Sequence, residues 1–397
     1  MATIIRQSYI DKIERYLGKE TIIVLVGQRR VGKSCMMKMI RDRKMADDGN
    51  NIIYIDKEKR EFDNIQTYQD LNDYIGLYFQ SDKHNYILID EIQDIKEFER
   101  SIRSYRTDPN TDIIITGSNA RMLSNELSTL IGGRYKEIYI QSLSYKEFLE
   151  FHQLSDNDEA LALYIQYGGL PGLAKIGLEE DDAREYQMDI YHTVLLKDVI
   201  MRNQIRNVPF LENLVRFLAD NTGKLISANS ISKYMKSQGE SIASAAITNY
   251  ISFLCEAYIL HKVNRYDIHG KRIFETNDKF YFEDNGIRNA IAGGTREGDI
   301  EKVIENIIYQ HLIRLGYQVY VGQLQAGEID FVCTKPGSER IYVQASYIIY
   351  DDATREREFG NLRAIKDNYP KYVISMTPLL TKNDDDGITH LHLRKFL

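Results

Sequence analysis

The segment Gly27-Gln28-Arg29-Arg30-Val31-Gly32-Lys33-Ser34 matches the pattern G-x-x-x-x-G-K-[ST] at every fixed position. Each residue type there has a chemical reason. Gly27 and Gly32 let the backbone curl so that successive N–H groups face one point, which suits phosphate oxygens. Lys33 carries a charge that reaches the outer phosphates, and the Ser34 hydroxyl is a ligand for Mg²⁺. Gln28, Arg29, Arg30, Val31 and Cys35 complete the loop around the expected ATP or ADP. A second group stands at the end of the apolar run Tyr86-Ile87-Leu88-Ile89, which finishes in Asp90-Glu91. Asp90 is the expected partner of the metal, and Glu91 the carboxylate that polarises an attacking water. Acids after a strand are common on surfaces, so this pair draws its meaning from the phosphate loop.

Two further positions are open between a chemical and a structural role. Ile113–Thr116 runs into Gly117-Ser118-Asn119, where Ser118 or Asn119 either touches the γ-phosphate and its water or caps a helix. Gly132-Gly133-Arg134 ends a predicted helix. Arg134 there either reaches a neighbouring subunit's ATP as a charge-stabilising finger or pairs with the helix dipole.

The elements that must position these residues alternate. Apolar strands are expected at Thr21–Val26, Ile52–Ile55, Tyr86–Asp90, Ile113–Thr116 and Glu137–Ile140, with helices between them such as Cys35–Lys44 and Asn119–Leu130. Strands apolar on both faces that alternate with helices imply a parallel sheet covered on both sides. From 141 to 205 the pattern is helical and is interrupted by Gly168-Gly169-Leu170-Pro171-Gly172, a hinge or a helix–helix turn. From 206 to 292 three helices precede strands at Tyr258–Tyr266 and Arg272–Phe282, the order of a winged helix-turn-helix. After 293 a helix at Ile300–Leu315 precedes strands Gln318–Val321, Glu328–Cys333 and Arg340–Ala345, a helix near 354–366 and a strand at Tyr372–Met376, which describes a separate α/β domain. The expected division is 1–140, 141–205, 206–292 and 293–397.

Bulk properties narrow the classes. At 397 residues several domains are expected. The net charge of −7 excludes a wholly basic nucleic-acid binder, although residues 201–272 carry ten Lys/Arg against five Asp/Glu. Cys35, Cys255 and Cys333 are far apart and exclude a disulfide framework. No apolar leader and no run of about 18 apolar residues is present, so a cytoplasmic protein without a membrane partner is expected.

Residues 1 to about 290 resemble the AAA+ ATPases of the archaeal and bacterial ATP-binding type, near the origin-recognition and signal-transduction branches. The resemblance rests on Gly27–Ser34 with its Arg29-Arg30 pair, Leu88–Glu91, Thr116–Asn119, Gly133-Arg134, Leu143-Ser144 leading to Glu147-Phe148, and Gly168–Pro171. It implies ATP hydrolysis with Mg²⁺, a helical lid, a winged helix and assembly with further copies of the chain. The C-terminal part resembles the DUF4143-like domain that follows such ATPases, a relative of PD-(D/E)XK nucleases. Its marks are Glu305-Asn306, Gly327–Phe331, Tyr342–Ser346, Glu356-Arg357-Glu358 and Tyr369-Pro370-Lys371. An active member needs two strand acids on Mg²⁺ and a following lysine. Here Glu305 and Asp330 are in place, but Gln344 replaces the second strand acid and Ser346 the lysine. Neutral Gln is a poor ligand for a hard dication. The domain is therefore read as an inactive nuclease relative, with Lys366 or Lys371 the candidates for a substitute lysine.

On the helix expected at Ser241–Tyr258, the apolar residues Ile242, Ile247, Ile251, Leu254 and Tyr258 share one face. Ser241, Ser244, Thr248 and Asn249 share the other as modest base-contact candidates. Lys262, Arg265, Lys271 and Arg272 are the candidates for DNA phosphate contacts, with a protein-binding module as the other reading. Three functions follow: an ATP-hydrolysing switch acting on DNA or a protein partner, a nucleotide-gated binding scaffold, or an ATP-driven nuclease.

Overall fold

A computed structural model describes residues 4–120, 133–270, 272–273, 277–294, 297–324, 327–378 and 384–397. The helix expected at Asn119–Leu130, Gly132 and Lys271 lie wholly or largely outside these residues, and the side chain of Arg272 is likewise outside them. The chain divides into two compact units, one running to Gln141 and including Glu256–Tyr258, the other comprising Ser142–Cys255 and Ile259–Leu397.

The first unit is a five-stranded sheet. Its strands are β1 (Ile22–Val26), β2 (Asn50–Asp56), β3 (His84–Asp90), β4 (Thr111–Gly117) and β5 (Tyr135–Tyr139). Their order is β2-β3-β4-β1-β5, and every pairing is parallel. Alternation assigns each residue of β1 to a core. Ile22, Val24 and Val26 pack with Ile87, Ile89, Ile113 and Ile115, whereas Ile23 and Leu25 pack with Leu88, Ile114, Met36, Met37 and Ile40. Helix α1 (Gln7–Glu14) and helix α2 (Lys33–Met45) cover the second face, and α3 (Tyr68–Tyr78) and α4 (Phe98–Tyr105) the first. Helix α3 starts in a capping box in which Thr67 accepts the Asp70 N–H and Asp70 accepts the Thr67 N–H.

The second unit, residues 142–255 and 259–397, spans the three segments expected after residue 140. Its helices include α5 (Tyr145–His152), α6 (Asp158–Tyr167), α7 (Leu173–Ile176), α8 (Glu180–Val194), α9 (Val208–Asp220), α10 (Ala228–Ser237), α11 (Ser244–Glu256), α12 (Asn285–Ala292) and α13 (Ile300–Arg314). The ribbon expected around His269-Gly270 is split between two sheets. Strand β6 (Leu260–Val263) pairs with β9 (Lys279–Phe282) as a two-stranded antiparallel sheet. Strands β7 (Arg265–Asp267) and β8 (Arg272–Ile273) instead extend the C-terminal sheet, because β7 pairs in parallel with β10 (Gln318–Gln323). Left alone, β10 would present an unpaired edge, and β7 satisfies those backbone groups. The resulting eight-stranded sheet continues through β11 (Glu328–Thr334), β12 (Ile341–Ala345), β13 (Lys371–Ser375) and β15 (Ile388–His392) to β14 (Asp384–Asp385), and it crosses the boundary expected at 292/293. Helix α14 (Asp352–Arg363) packs through Phe359 and Leu362 against Val332, Tyr342 and Val373.

Two motifs prominent in the sequence turn out to be local joints of this unit. Ser144 and Glu147 form the capping box of α5, with Leu143 and Phe148 buried beside it. The loop at Gly168-Gly169 is a turn held by buried Asp284, which accepts the Gly169 N–H at 2.8 Å and caps α12 by accepting the Ile287 N–H at 3.0 Å. The Gly169 carbonyl in turn accepts the Leu143 N–H at 2.7 Å. Asp284→Ala removes a helix cap and strands a buried N–H, a loss of about 2–3 kcal/mol, whereas Asp284→Asn keeps one of the two acceptor oxygens and is expected to lose about half as much. The chain has no tryptophan, so urea unfolding followed by circular dichroism is the measurement. An alanine variant within about 0.5 kcal/mol of wild type would contradict this role.

Candidate functional site

The loop between β1 and α2 carries the first group of candidates. Gly27 has φ +141°, and a Cβ there would lie 2.1 Å from the Ile140 carbonyl oxygen, so no other residue fits without moving β5's continuation. Gly32 also has positive φ, as does Arg30 at +70°. This curl buries Gln28 and Val31, leaves Arg30 and Cys35 exposed, and half-buries Arg29 and Ser34. Lys33 is 4% exposed, and its Nζ donates to the carbonyls of Gly27 at 2.8 Å and Gln28 at 2.9 Å. The loop thus folds around its own lysine, on the first turn of α2.

Asp90 and Glu91 end β3 beside β4. The Thr116 hydroxyl joins them: it donates to the Asp90 carboxylate and accepts the Glu91 N–H at 3.0 Å. Glu91 occupies the left-handed region at φ +53°, a strained backbone that turns its side chain off the strand direction. Its carboxylate accepts from Gln93 Nε2 and, at 3.3 Å, from Ser118 Oγ. Ser118 therefore lies against the acid, and its neighbour Asn119 is buried. Arg134 is exposed just before β5, and its carbonyl accepts the Ile22 N–H at 3.1 Å.

The two acids are tuned apart. Burial pushes the Asp90 carboxyl up, a shift that hydrogen bonds from Thr116 and Ser34 oppose and the charges of Glu91 and Asp56 reinforce. Burial acts on Glu91 in the same sense. The charges of Lys33 and Arg29 and the bonds from Gln93 and Ser118 outweigh it, so this carboxyl lies below its ordinary range. Asp90, buried against hydroxyls and other acids, has the environment a divalent cation would relieve, and the Ser34 hydroxyl beside it supplies a second oxygen. Gln93 and Thr116 have no assigned chemistry in the sequence, and Arg29 is expected there as part of the ATP loop rather than as a charge acting on Glu91. Gln93 lies only three residues beyond Asp90, and its amide donates back to Glu91 beside the Ser118 hydroxyl.

The C-terminal candidates also meet. Glu305 on α13 and Asp330 on β11 both contact Lys279 Nζ, at 2.7 and 3.0 Å, and Glu328 contacts it at 2.8 Å. Tyr281 donates to Glu305 at 2.6 Å. Gln344 does not face this centre: its Oε1 accepts the Asp330 N–H at 3.3 Å and its Nε2 donates to Glu358 at 3.1 Å. Burial and the Asp330 charge push the Glu305 carboxyl up against the pull of Lys279. The cation of this centre is Lys279, and neither Lys366 nor Lys371, the candidates for a substitute lysine, fills that place. Lys366 is exposed, and Lys371 donates to the carbonyls of Ile365 and Asp367. Periodicity offered no signal for Lys279, because its partners are 26, 49 and 51 residues away.

Two of the four phosphate-contact candidates of 206–292, Lys262 and Arg265, are engaged within the chain. Lys262 pairs with Asp278 at 3.1 Å, and Arg265 donates to Gln323 at 3.2 Å. On α11, Ile247, Ile251 and Leu254 are buried, and Thr248 and Asn249 are exposed. Among the described residues, no helix is long and apolar enough to cross a membrane.

Residues 19–149 match the family described as an AAA domain, and residues 158–298 match a domain of unknown function, DUF8612. A Haemophilus influenzae protein titled only as uncharacterized is 34% identical over 404 residues, spanning 100% of this chain and 99% of its own length. An uncharacterized Methanocaldococcus jannaschii protein is 26% identical over 371 residues, 89% of this chain and 81% of its own. Among solved structures, the Walker-type ATPase PABY2304 of Pyrococcus abyssi has a TM-score of 0.51 at 14% identity, covering 73% of this chain and 96% of that one. At that identity the likeness is one of fold, and it agrees with the five-stranded parallel sheet described above.

Thr116→Val tests the hydroxyl that joins the paired acids. It removes one donor to Asp90 and one acceptor for Glu91 while keeping the strand's shape. Nucleotide affinity is expected to stay within about threefold, and phosphate release to fall about 10–100-fold, the usual effect of losing a support of a functional ligand. Fluorescent-nucleotide titration and a phosphate-release assay measure the two separately.

Proposed function

We propose that this chain, which belongs to the same protein family as the Haemophilus influenzae relative and carries an AAA domain, is an ATPase whose site is Lys33, Ser34, Asp90 and Glu91. The observation that carries this reading is the juxtaposition of Glu91, ionised and aimed by Gln93 and Ser118, with the charge of the phosphate-loop lysine. ATP lies with its phosphates along the N–H groups of Gly27–Ser34 and at the N-terminus of α2. Lys33 exchanges the carbonyls of Gly27 and Gln28 for phosphate oxygens, which satisfies the same two N–H bonds with stronger acceptors. Ser34 and Asp90 are the residues that would hold a magnesium ion, which would supply charge to offset the phosphates. Glu91 orients a water and takes its proton as the water oxygen bonds the γ-phosphorus and the bond to the bridging oxygen breaks, leaving ADP and phosphate. Arg134, exposed beside β5, is the group a neighbouring copy's ATP would meet if the protein assembles.

A nucleotide-gated scaffold with little turnover is the alternative. The depressed Glu91 carboxyl speaks against it, because binding alone needs no ionised acid at that point. A DNA-directed role rests on the exposed Thr248 and Asn249 of α11 and on Lys233 and Lys236 of α10. With Lys262 and Arg265 already paired, that surface is lightly charged, and a gel shift over a salt series with and without ATP is its test.

Glu91→Gln keeps size and hydrogen bonding but removes the base. Turnover is expected to fall about 10²–10⁴-fold with ATP binding nearly unchanged. Lys33→Ala is expected to lose ATP binding itself. Wild-type phosphate release by Glu91→Gln would remove the acid from its role, and wild-type binding by Lys33→Ala would remove the site.

A further inference from the structure

We infer that the cation of the C-terminal acidic centre is the side chain of Lys279, which fills the position of a divalent metal and seals this site against one. The ammonium has three N–H bonds. Its nitrogen lies 2.7 Å from Glu305, 2.8 Å from Glu328 and 3.0 Å from Asp330, so three donors meet three separate carboxylates. The elements deliver these groups by their own periodicity. Glu328 and Asp330 are two apart on β11 and share a face, as do Lys279 and Tyr281 on β9, and Glu305 comes from α13 between them. The side chain of Lys279 is 3% exposed, so the ammonium lacks bulk water as an alternative partner.

Oxygens from separate elements that converge on one point make a cation site. The spacings here are those of N–H···O bonds, longer than the roughly 2.0–2.1 Å of Mg²⁺ or 2.3–2.6 Å of Ca²⁺. The remaining polar groups agree with an ammonium as occupant. Asp330 uses its second oxygen on the Ala345 N–H at 3.0 Å, and Glu305 accepts from the Tyr281 hydroxyl at 2.6 Å. Gln344, where a metal site needs an acid, is a link between the Asp330 backbone and Glu358. Lys279 thus ties β9 to α13 and β11, and the centre serves to hold these elements together without metal. Unlike the ATPase reading, this inference concerns the C-terminal site alone and stands or falls independently of nucleotide turnover.

The test is Mn²⁺ titration of the full chain without nucleotide, read by calorimetry and by the paramagnetic signal of free Mn²⁺. Wild type and Asp330→Asn should take up Mn²⁺ equally, since weak uptake at Asp90 is common to both. A Mn²⁺ equivalent present in wild type and missing from Asp330→Asn overturns the inference. Lys279→Met removes the charge and keeps the bulk. It is expected to gain one equivalent, bound at least about tenfold more tightly than anything in wild type, and to lose it when Asp330→Asn is added. If Lys279→Met is unfolded in chelator, Mn²⁺ is expected to restore its thermal transition, because a ligand of the folded state stabilises it. A folded Lys279→Met that gains no Mn²⁺ overturns the inference, as does an unfolded one that Mn²⁺ fails to rescue.

Discussion

An ammonium removed from water must find acceptors for its N–H bonds, and the two buried lysines among the described residues do so in opposite ways. Lys33 rests on two backbone carbonyls of its own loop. Neutral acceptors hold a charge weakly compared with anions, so a triphosphate can displace them at modest cost. Lys279 is bound by three carboxylates, the strongest acceptors a protein offers. Losing one of them would leave a buried N–H of the ammonium without its charged acceptor, a cost of about 1–3 kcal/mol. The first lysine is poised for exchange and the second is locked, and the difference lies in the acceptors rather than in the lysines.

The same reasoning separates Asp90 from Glu91. They are neighbours in sequence and both are buried, yet burial dominates one and is overcome at the other. Asp90 points to hydroxyls and lies near Asp56 and Glu91, so its negative charge is poorly compensated until a cation arrives. Glu91 turns out of the strand through a left-handed backbone and meets the field of Lys33 and Arg29. That turn is what lets adjacent acids occupy different electrostatic environments. A regular strand would also send them to opposite faces, but it would bury one of them in the apolar core of the sheet. The strained residue is where a metal-side acid and a water-side acid become distinct groups, and Thr116 stabilises the turn by holding the Glu91 N–H.

Much of the first unit was legible because its signals are local. The glycine, lysine and serine spacing is fixed within eight residues, and the strands of the sheet are continuous apolar runs because both of their faces are covered. The second unit was less legible because its decisive contacts are distant. The run from 258 to 282 reads as one ribbon, but the edge of β10, some 55 residues onward, captures β7 and divides it. No period in the sequence announces a parallel pairing of that kind. Lys279 is a similar case: between Asp278 and Phe280 it reads as one more polar residue of a wing strand, and only the approach of α13 and β11 makes it the centre of a site.

The sequence resemblance to a nuclease, with Gln344 and Ser346 at two of its positions, implies an inactive site but does not say what answers the charge of the acids. A cluster of acids that loses its metal is left with uncompensated repulsion, and such a cluster persists only if the charge is answered another way. Protonation, substitution of the acids and an internal cation are the available answers. Here Glu305, Glu328 and Asp330 all remain, and the lysine that answers them comes from β9, outside the C-terminal segment that supplies the acids. An internal cation has a consequence the other two answers lack. It makes the acidic centre dependent on a strand of a different part of the unit, so that the C-terminal sheet and the β6–β9 pair are electrostatically one structure. The extension of that sheet by β7 and β8 joins the same two parts through backbone hydrogen bonds, so both connections run across residue 292 within one compact unit.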